Sequence, residues 1–257
     1  MFDNLLSQTK ILDQLGGLWI IGLLVFSRTL AFTSTAPLIG HKSVSSLVKI
    51  SFAILLTLLI IPNLDIPPEY PKNHQIVYQV VLNVCVGLLI GWISNLIIEI
   101  ARAGGEMLDM QMGLNAATIF DPGTQTQSTL IGRLFDMIAL TLFISVGGIE
   151  KVIEAFVKSY NTFPVVLSEI SINFTKILHA TADVVAVGFI VVSPIVITIL
   201  VVDLILGLMS RAAPQINAFQ ISFSIKPTIG ILLVLILLPV ILQVLVKIID
   251  SPVKYMY

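Results

Sequence analysis

The 257-residue chain holds a single cysteine, Cys85. One thiol excludes an internal disulfide and every metal site built on several cysteines. Histidine is nearly as scarce. His41, His74 and His179 stand far apart, with no zinc-protease, P-loop or nucleophile-elbow motif around them. No catalytic, cofactor-binding or metal-binding constellation is therefore expected. Charge is scarce too: 11% of residues are charged and the net charge is −1, against about 25% charged in an ordinary soluble domain. That leaves no basic footprint for nucleic acid. It also excludes intrinsic disorder, which needs a polar, charge-rich chain.

What the chain does have is apolar surface. Hydrophobic residues make up 56% of it, and the mean hydropathy is +1.01. So few charges cannot cover the outside of a soluble fold of this size, and the composition implies an integral membrane protein. A span needs about 20 apolar residues. Six candidate runs occur, at residues 17–36, 47–61, 76–100, 130–146, 177–209 and 228–249. The second is short and contains Lys49. The fourth is interrupted by Arg133 and Asp136. The fifth is too long for one straight span and contains Pro194, and the sixth contains Pro239. Leu, Ile and Val dominate and no period-2 alternation stands out, which favours helices over a transmembrane barrel. The expected fold is all-α: a polytopic, membrane-type helical protein with long kinked helices and helical hairpins, and no β-sheet.

Four connections carry information. Residues 62–75 hold Pro62, Pro67, Pro68 and Pro71 and read as a stiff, extended loop. Residues 101–129 read as a long, mildly polar loop rich in glycine and methionine. Residues 147–176 read as a short amphipathic helix, 149–160, and then a turn at Pro164. Residues 210–227 read as a compact charged link. The first apolar run could be taken for a secretory signal. Arg28 inside it, Asp3 and Asp13 before it, and Pro37 at the would-be cleavage junction all argue that it is retained.

Loop charge does not orient the chain. With six crossings, Lys10, Lys72, Lys151, Lys158, Lys176, Lys247 and Lys254 fall on one side. Lys42, Lys49, Arg102, Arg133, Arg211 and Lys226 fall on or near the other. So even a division gives no positive-inside bias. Either the protein is a weakly biased multispan protein, or its helices do not all sit in a bilayer as simple spans.

Charges inside apolar segments cost about 2.5–3.5 kcal/mol on insertion scales and need partners. Arg28 has no acid within four residues, so its partner must come from another segment. Arg133 and Asp136 have the spacing of a helical pair, as do Glu99 and Arg102, and Arg102 and Glu106. Asp183 has only His179 nearby, and Asp203 has no basic neighbour before Arg211. Two readings stay open. Asp183 and Asp203, flanking Pro194, could serve an ion-coupled secondary transporter, in which a broken helix exposes backbone to an ion. Alternatively the charges are structural pins between helices of an assembly, or of a membrane scaffold with no conduit.

The link after Asp203 and Gly207 reads Arg211-Ala212-Ala213-Pro214-Gln215-Ile216-Asn217-Ala218-Phe219, followed by Lys226. It resembles the signature of the FliR family, export-gate proteins of the bacterial flagellar type III secretion apparatus, with injectisome counterparts more distant. Three further stretches are similar. Glu99, Arg102, Gly104, Gly105, Asp109, Gln111, Met112 and Gly113, then Phe120-Asp121-Pro122, resemble the family's central motif. Arg28 with Ala36-Pro37-Leu38-Ile39-Gly40 resembles its first-helix motif, and Ser159-Tyr160 before Pro164 its turn after the amphipathic helix. The family commonly has Gly-His before that helix, and here Gly148 is followed by Ile149.

The resemblance covers nearly the whole chain, and its implications are specific. It implies a non-enzymatic channel subunit at the bacterial inner membrane, in the flagellar basal body. It implies a hetero-oligomer with FliP-like and FliQ-like subunits and further export-gate proteins, through which unfolded substrate polypeptides pass. Residues 1–170 would be the FliP-like part, with a central plug loop at 101–129. Residues 171–257 would be a FliQ-like hairpin. In the plug loop, Met107, Met110 and Met112 are flexible gap-fillers, and Gly104, Gly105 and Gly113 let the backbone bend. Gln111, Asp121 and Pro122 belong to the same stretch. Such a loop could seal a pore, or its methionines could simply pack in a helix. Arg211, Pro214, Gln215, Asn217, Phe219 and Lys226 would form a hairpin tip that contacts another component, or an ordinary turn capping two helices.

Overall fold

The structure is a computed structural model. It describes the backbone of residues 2–41, 43–64, 73–114, 129–166, 174–215 and 217–255. The side chains of 2–16, 73–74, 97, 174, 176–177, 180, 183–184, 187 and 248–255 lie outside that description. Among the described residues the fold is all-α. Its helices are α1 (Phe2–Thr35), α2 (Ser46–Ile60, followed by a 3-10 turn at Ile61–Asn63), α3 (Asn73–Met112), α4 (Leu130–Ser145), α5 (Gly148–Thr162), α6 (Phe174–Ala212) and α7 (Ala218–Tyr255). Five stretches are long and apolar enough to cross a membrane: Gly17–Thr35, Ser46–Asn63, Gln75–Leu96, Gly188–Ala212 and Ala218–Lys247. The fourth expected run, 130–146, is instead the 16-residue α4, separated from α5 by a turn at Val146 and Gly147. It reaches membrane-spanning length only if it is counted together with α5.

The helices outrun the apolar segments that mark them. α1, α3, α6 and α7 have 34, 40, 39 and 38 residues. At 1.5 Å per residue they are about 50–60 Å long, well beyond a hydrocarbon core of about 30 Å. Two expected connections are therefore helical. Residues 101–112 continue α3, and of the expected loop 115–128 lie outside the described residues. The reason is visible in burial: Ala101, Gly105, Leu108 and Met112 form a buried stripe at helical spacing, hidden in the sequence by the glycines and charges between them. Likewise the 210–227 link shortens to residues 213–217, and Phe219 and Lys226 stand on α7. Pro194 does not break α6. It removes one amide that would have bonded the Ile190 carbonyl, and the Ser193 hydroxyl donates to that carbonyl at 2.8 Å instead.

The chain divides into two compact units, Met1–Asn95 with Ile149–Asn173, and Leu96–Gly148 with Phe174–Tyr257. In the first, α1 packs on α2 and on the start of α3. Gly87 and Gly91 let α3 come close: a Cβ at Gly91 would lie 2.8 Å from the Phe32 carbonyl oxygen. Phe32 stacks on Phe156 of α5 at 4.1 Å, and Tyr160 meets Phe156 edge-on. Lys49, the charge in the short second run, donates to the Gly40 carbonyl at 2.9 Å. In the second unit, α6 and α7 form a hairpin, and the end of α3 and α4 pack with it. Ile100, Phe135, Val192 and Ile241 line an apolar crevice there.

Candidate functional site

The first unit is organised around Arg28. Its side chain is 0% exposed, and its partner does come from other segments, but it is not an acid. Nε donates to Asn83 Oδ1 at 2.9 Å, Nη1 to the Phe163 carbonyl at 2.8 Å, and Nη2 to the Pro164 carbonyl at 3.0 Å. The guanidinium carbon lies 4.2 Å from the centre of the Tyr160 ring, a cation–π contact. Asn83 in turn donates to the carbonyls of Gln79 and Val165. A guanidinium suits this site because its planar fork presents several donors at fixed angles.

In the second unit, the last turns of α3 present two faces. Gly105, Leu108, Asp109 and Met112 are buried, whereas Met110 is exposed and Met107 and Gln111 are partly so. The three methionines therefore divide. Met112 is 1% exposed and lies over Gly230 of α7, where a Cβ would come within 2.7 Å of its sulfur. It is a core anchor. Met107 and Met110 remain on the open face. Gly104 and Gly105 serve packing rather than bending. A Cβ at Gly105 would lie 2.7 Å from Gly132 Cα and from the Ile131 carbonyl oxygen, so α3 and α4 cross backbone against backbone. Gly105→Ala should cost about 1–3 kcal/mol, read as lower thermal stability of the detergent-extracted protein. Gly113 alone needs its freedom, with φ of 76°. Asp121 and Pro122 lie outside the described residues.

Two hydrogen-bond sets close this end of α3. Gly113 N–H donates to the Met110 carbonyl at 3.2 Å, and Leu114 N–H to the Asp109 carbonyl at 3.0 Å. This is a Schellman ending. The Asp109 side chain, fully buried, accepts at Oδ2 from Ile131 N–H at 2.8 Å and Gly132 N–H at 3.0 Å, at the start of α4.

The charges pair differently from their sequence spacing. Glu99 and Arg102 do pair, at 3.1 Å. Asp136 turns not to Arg133, three residues away, but to Arg102 of α3 at 2.8 Å. Arg133 is exposed, with no ion pair among the described residues. No Arg102–Glu106 bridge forms. Instead the Glu106 stem packs where a Gly132 side chain would stand. Burial pulls the Arg102 pKa down, but the hydrogen bond to Asp136 and the charges of Glu99, Asp136 and Glu106 outweigh it. The net shift is upward and Arg102 stays cationic. Of the expected buried charges, Glu99 and Arg133 are thus exposed, and Asp203 is only partly covered. The Asp183 side chain lies outside the described residues. Sequence spacing missed Asp109, Asn83 and Tyr160, which act on helices remote in sequence.

At the hairpin, Lys226 Nζ of α7 meets Asp203 Oδ1 of α6 at 2.7 Å. Asp203 lies nine residues before the end of α6 and Lys226 eight after the start of α7, the register of an antiparallel pair. At the tip, Arg211, Pro214, Gln215, Asn217 and Phe219 are all exposed. Asn217 caps α7 weakly, accepting from Gln220 N–H at 3.3 Å. Phe219 packs edge-on against Phe223.

Comparison with known proteins bears on both units. The profile of the family described as "Bacterial export proteins, family 1" matches residues 19–251. The chain is 31% identical to the flagellar biosynthetic protein FliR of Escherichia coli (strain K12) over 215 residues, covering 83% of this chain and 82% of that one. It is 29% identical to the protein of that name from Bacillus subtilis (strain 168), covering 86% and 87%. It is 26% identical to the surface presentation of antigens protein SpaR of Shigella flexneri, covering 82% of each. The chain belongs to bacterial export protein family 1, the family of the flagellar biosynthetic protein FliR.

Proposed function

We propose that this protein is a subunit of a bacterial flagellar type III export gate, helping to form the channel that passes unfolded flagellar proteins across the inner membrane. The carrying observation is the family match over residues 19–251, with the relatives named for flagellar biosynthesis. In this reading the protein sits in the flagellar basal body, in a hetero-oligomer with FliP-like and FliQ-like subunits and further export-gate proteins. Residues 1–170 form its FliP-like part and 171–257 its FliQ-like hairpin. Helices far longer than a bilayer is thick suit burial against partner subunits. So does an exposed Arg133 on a helix that is otherwise largely apolar.

The end of α3 and the segment after it serve as the plug. Support comes from Met110, exposed, and Met107, partly exposed, which lie off the buried stripe. The hairpin tip, with Arg211, Gln215 and Asn217 exposed, serves as a contact for another component on the cytoplasmic side. An ion-coupled transporter using Asp183 and Asp203 is less well supported, because Asp203 is engaged by Lys226.

Co-purification tests the proposal. The protein should leave the membrane in a large hetero-oligomer with two other small hydrophobic proteins. Recovery as a monomer or small homo-oligomer that moves a solute in vesicles would instead point to the transporter. Within the gate, the Arg211→Ala, Gln215→Ala double variant should assemble normally yet secrete little. Full secretion by it would remove the tip from the mechanism.

A further inference from the structure

The start of α4 lacks the cap that its own sequence offers. Thr129 is at the N-cap position, where a hydroxyl ordinarily accepts from the first free amides of the helix. It makes no such bond, and its hydroxyl oxygen is buried with no hydrogen-bond partner among the described residues. The first turn of α4 carries no acid either. The Ile131 and Gly132 amides go instead to Asp109, twenty-two and twenty-three residues earlier, on α3. Asp109 can reach them because α3 and α4 touch at Gly105 and Gly132. A buried carboxylate there also meets the positive end of the α4 dipole. The carbonyl of the same residue receives the Leu114 amide in the closing turn of α3. The chain thus leaves α3 and enters α4 under the hold of one residue.

We propose that Asp109 is a positioning residue of the export gate, clamping the start of α4 to the end of α3 and so fixing where the Met107 and Met110 face stands. A local cap at Thr129 would stabilise α4 equally well but would leave the two helix ends independent. The proposal rests on the reading of this end of α3 as the seal.

The test uses the full chain in its assembled complex. Three variants are compared, Asp109→Ala, the double variant Asp109→Ala with Thr129→Asp, and a deletion of residues 110–116. The readouts are ion conductance and hydrogen exchange at the Ile131 and Gly132 amides. In Asp109→Ala those amides should exchange about tenfold faster, the loss of one cap, and the gate should leak. In the double variant a local carboxylate caps α4 again. Exchange should slow, yet the leak should persist because the two helices are no longer joined. A double variant that seals would overturn the clamp and reduce Asp109 to a cap. An Asp109→Ala gate that stays tight while the deletion leaks would also overturn the clamp but leave the seal in place. If neither leaks, the seal reading fails and takes the clamp with it. Should Asp109→Ala fail to assemble, the double variant and Asp109→Asn decide. Unchanged exchange at Ile131 and Gly132 in Asp109→Asn, with a sealed double variant, would overturn the proposal.

Discussion

Replacing Arg28 with alanine should abolish recovery of an intact complex from detergent extracts, whereas Arg133→Ala should leave recovery unchanged. Both arginines lie in apolar segments, and the sequence treats them alike. Arg28 is fully buried and joins three parts of the first unit: α1 that carries it, α3 through Asn83, and the chain leaving α5 through the Phe163 and Pro164 carbonyls. Truncation leaves the buried Asn83 Oδ1 and the part-buried Phe163 and Pro164 carbonyls without their donor. Each orphaned acceptor costs about 1–3 kcal/mol, so losing the donor to all three costs several kcal/mol. That is a large fraction of a domain's net stability of about 5–15 kcal/mol. Arg28→Lys should recover only part of it, because one ammonium cannot serve three acceptors set for a guanidinium fork. Arg133 is exposed, where substitutions usually stay within about 0.5 kcal/mol. Equal recovery of the Arg28→Ala and Arg133→Ala complexes would remove Arg28 as the centre of the first unit.

The helices were legible from apolar runs because a span has a minimum length and composition that few other structures share. Their ends were not. α3 runs twelve residues past the expected boundary at 100, because Ala101, Gly105, Leu108 and Met112 bury one face while Arg102, Glu106 and Asp109 make the stretch look polar. Pairing was legible only where both partners share a helix, as for Glu99 and Arg102. The Arg102–Asp136 and Asp203–Lys226 bridges join residues 34 and 23 apart in number, and only the folded register brings them together. Asp109 had no signal of its own. An acid in a glycine-rich stretch reads as a loop residue until α4 is seen to begin beside it with its own threonine unused. The resemblance was more informative than spacing, since Arg28, Asp109, Tyr160 and Arg211 all fall within its motifs, but it named positions without saying what they touch.

Deletion of residues 110–116 should turn a tight gate into a leaky one, with ion conductance through the assembled complex rising well above that of the intact protein. The folded register separates two contributions that the deletion combines. It removes Met110, on the open face, but also Met112, which holds the end of α3 against Gly230. Met112→Ala removes a buried anchor, for which large-to-small changes cost about 2–5 kcal/mol. It should lower stability and loosen the whole end of α3. Met107→Ala with Met110→Ala removes one half-buried and one exposed side chain and no core anchor, so stability should fall by only about 1 kcal/mol. If those methionines fill the gaps of a seal, as their flexible thioethers suit them to do, this pair should leak on its own while the protein loses far less stability than Met112→Ala does. A leak confined to Met112→Ala would instead trace sealing to the placement of α3, with no part for the exposed methionines. Unchanged conductance in the deletion itself would end the plug reading, because no arrangement of the remaining turns could then depend on the residues removed.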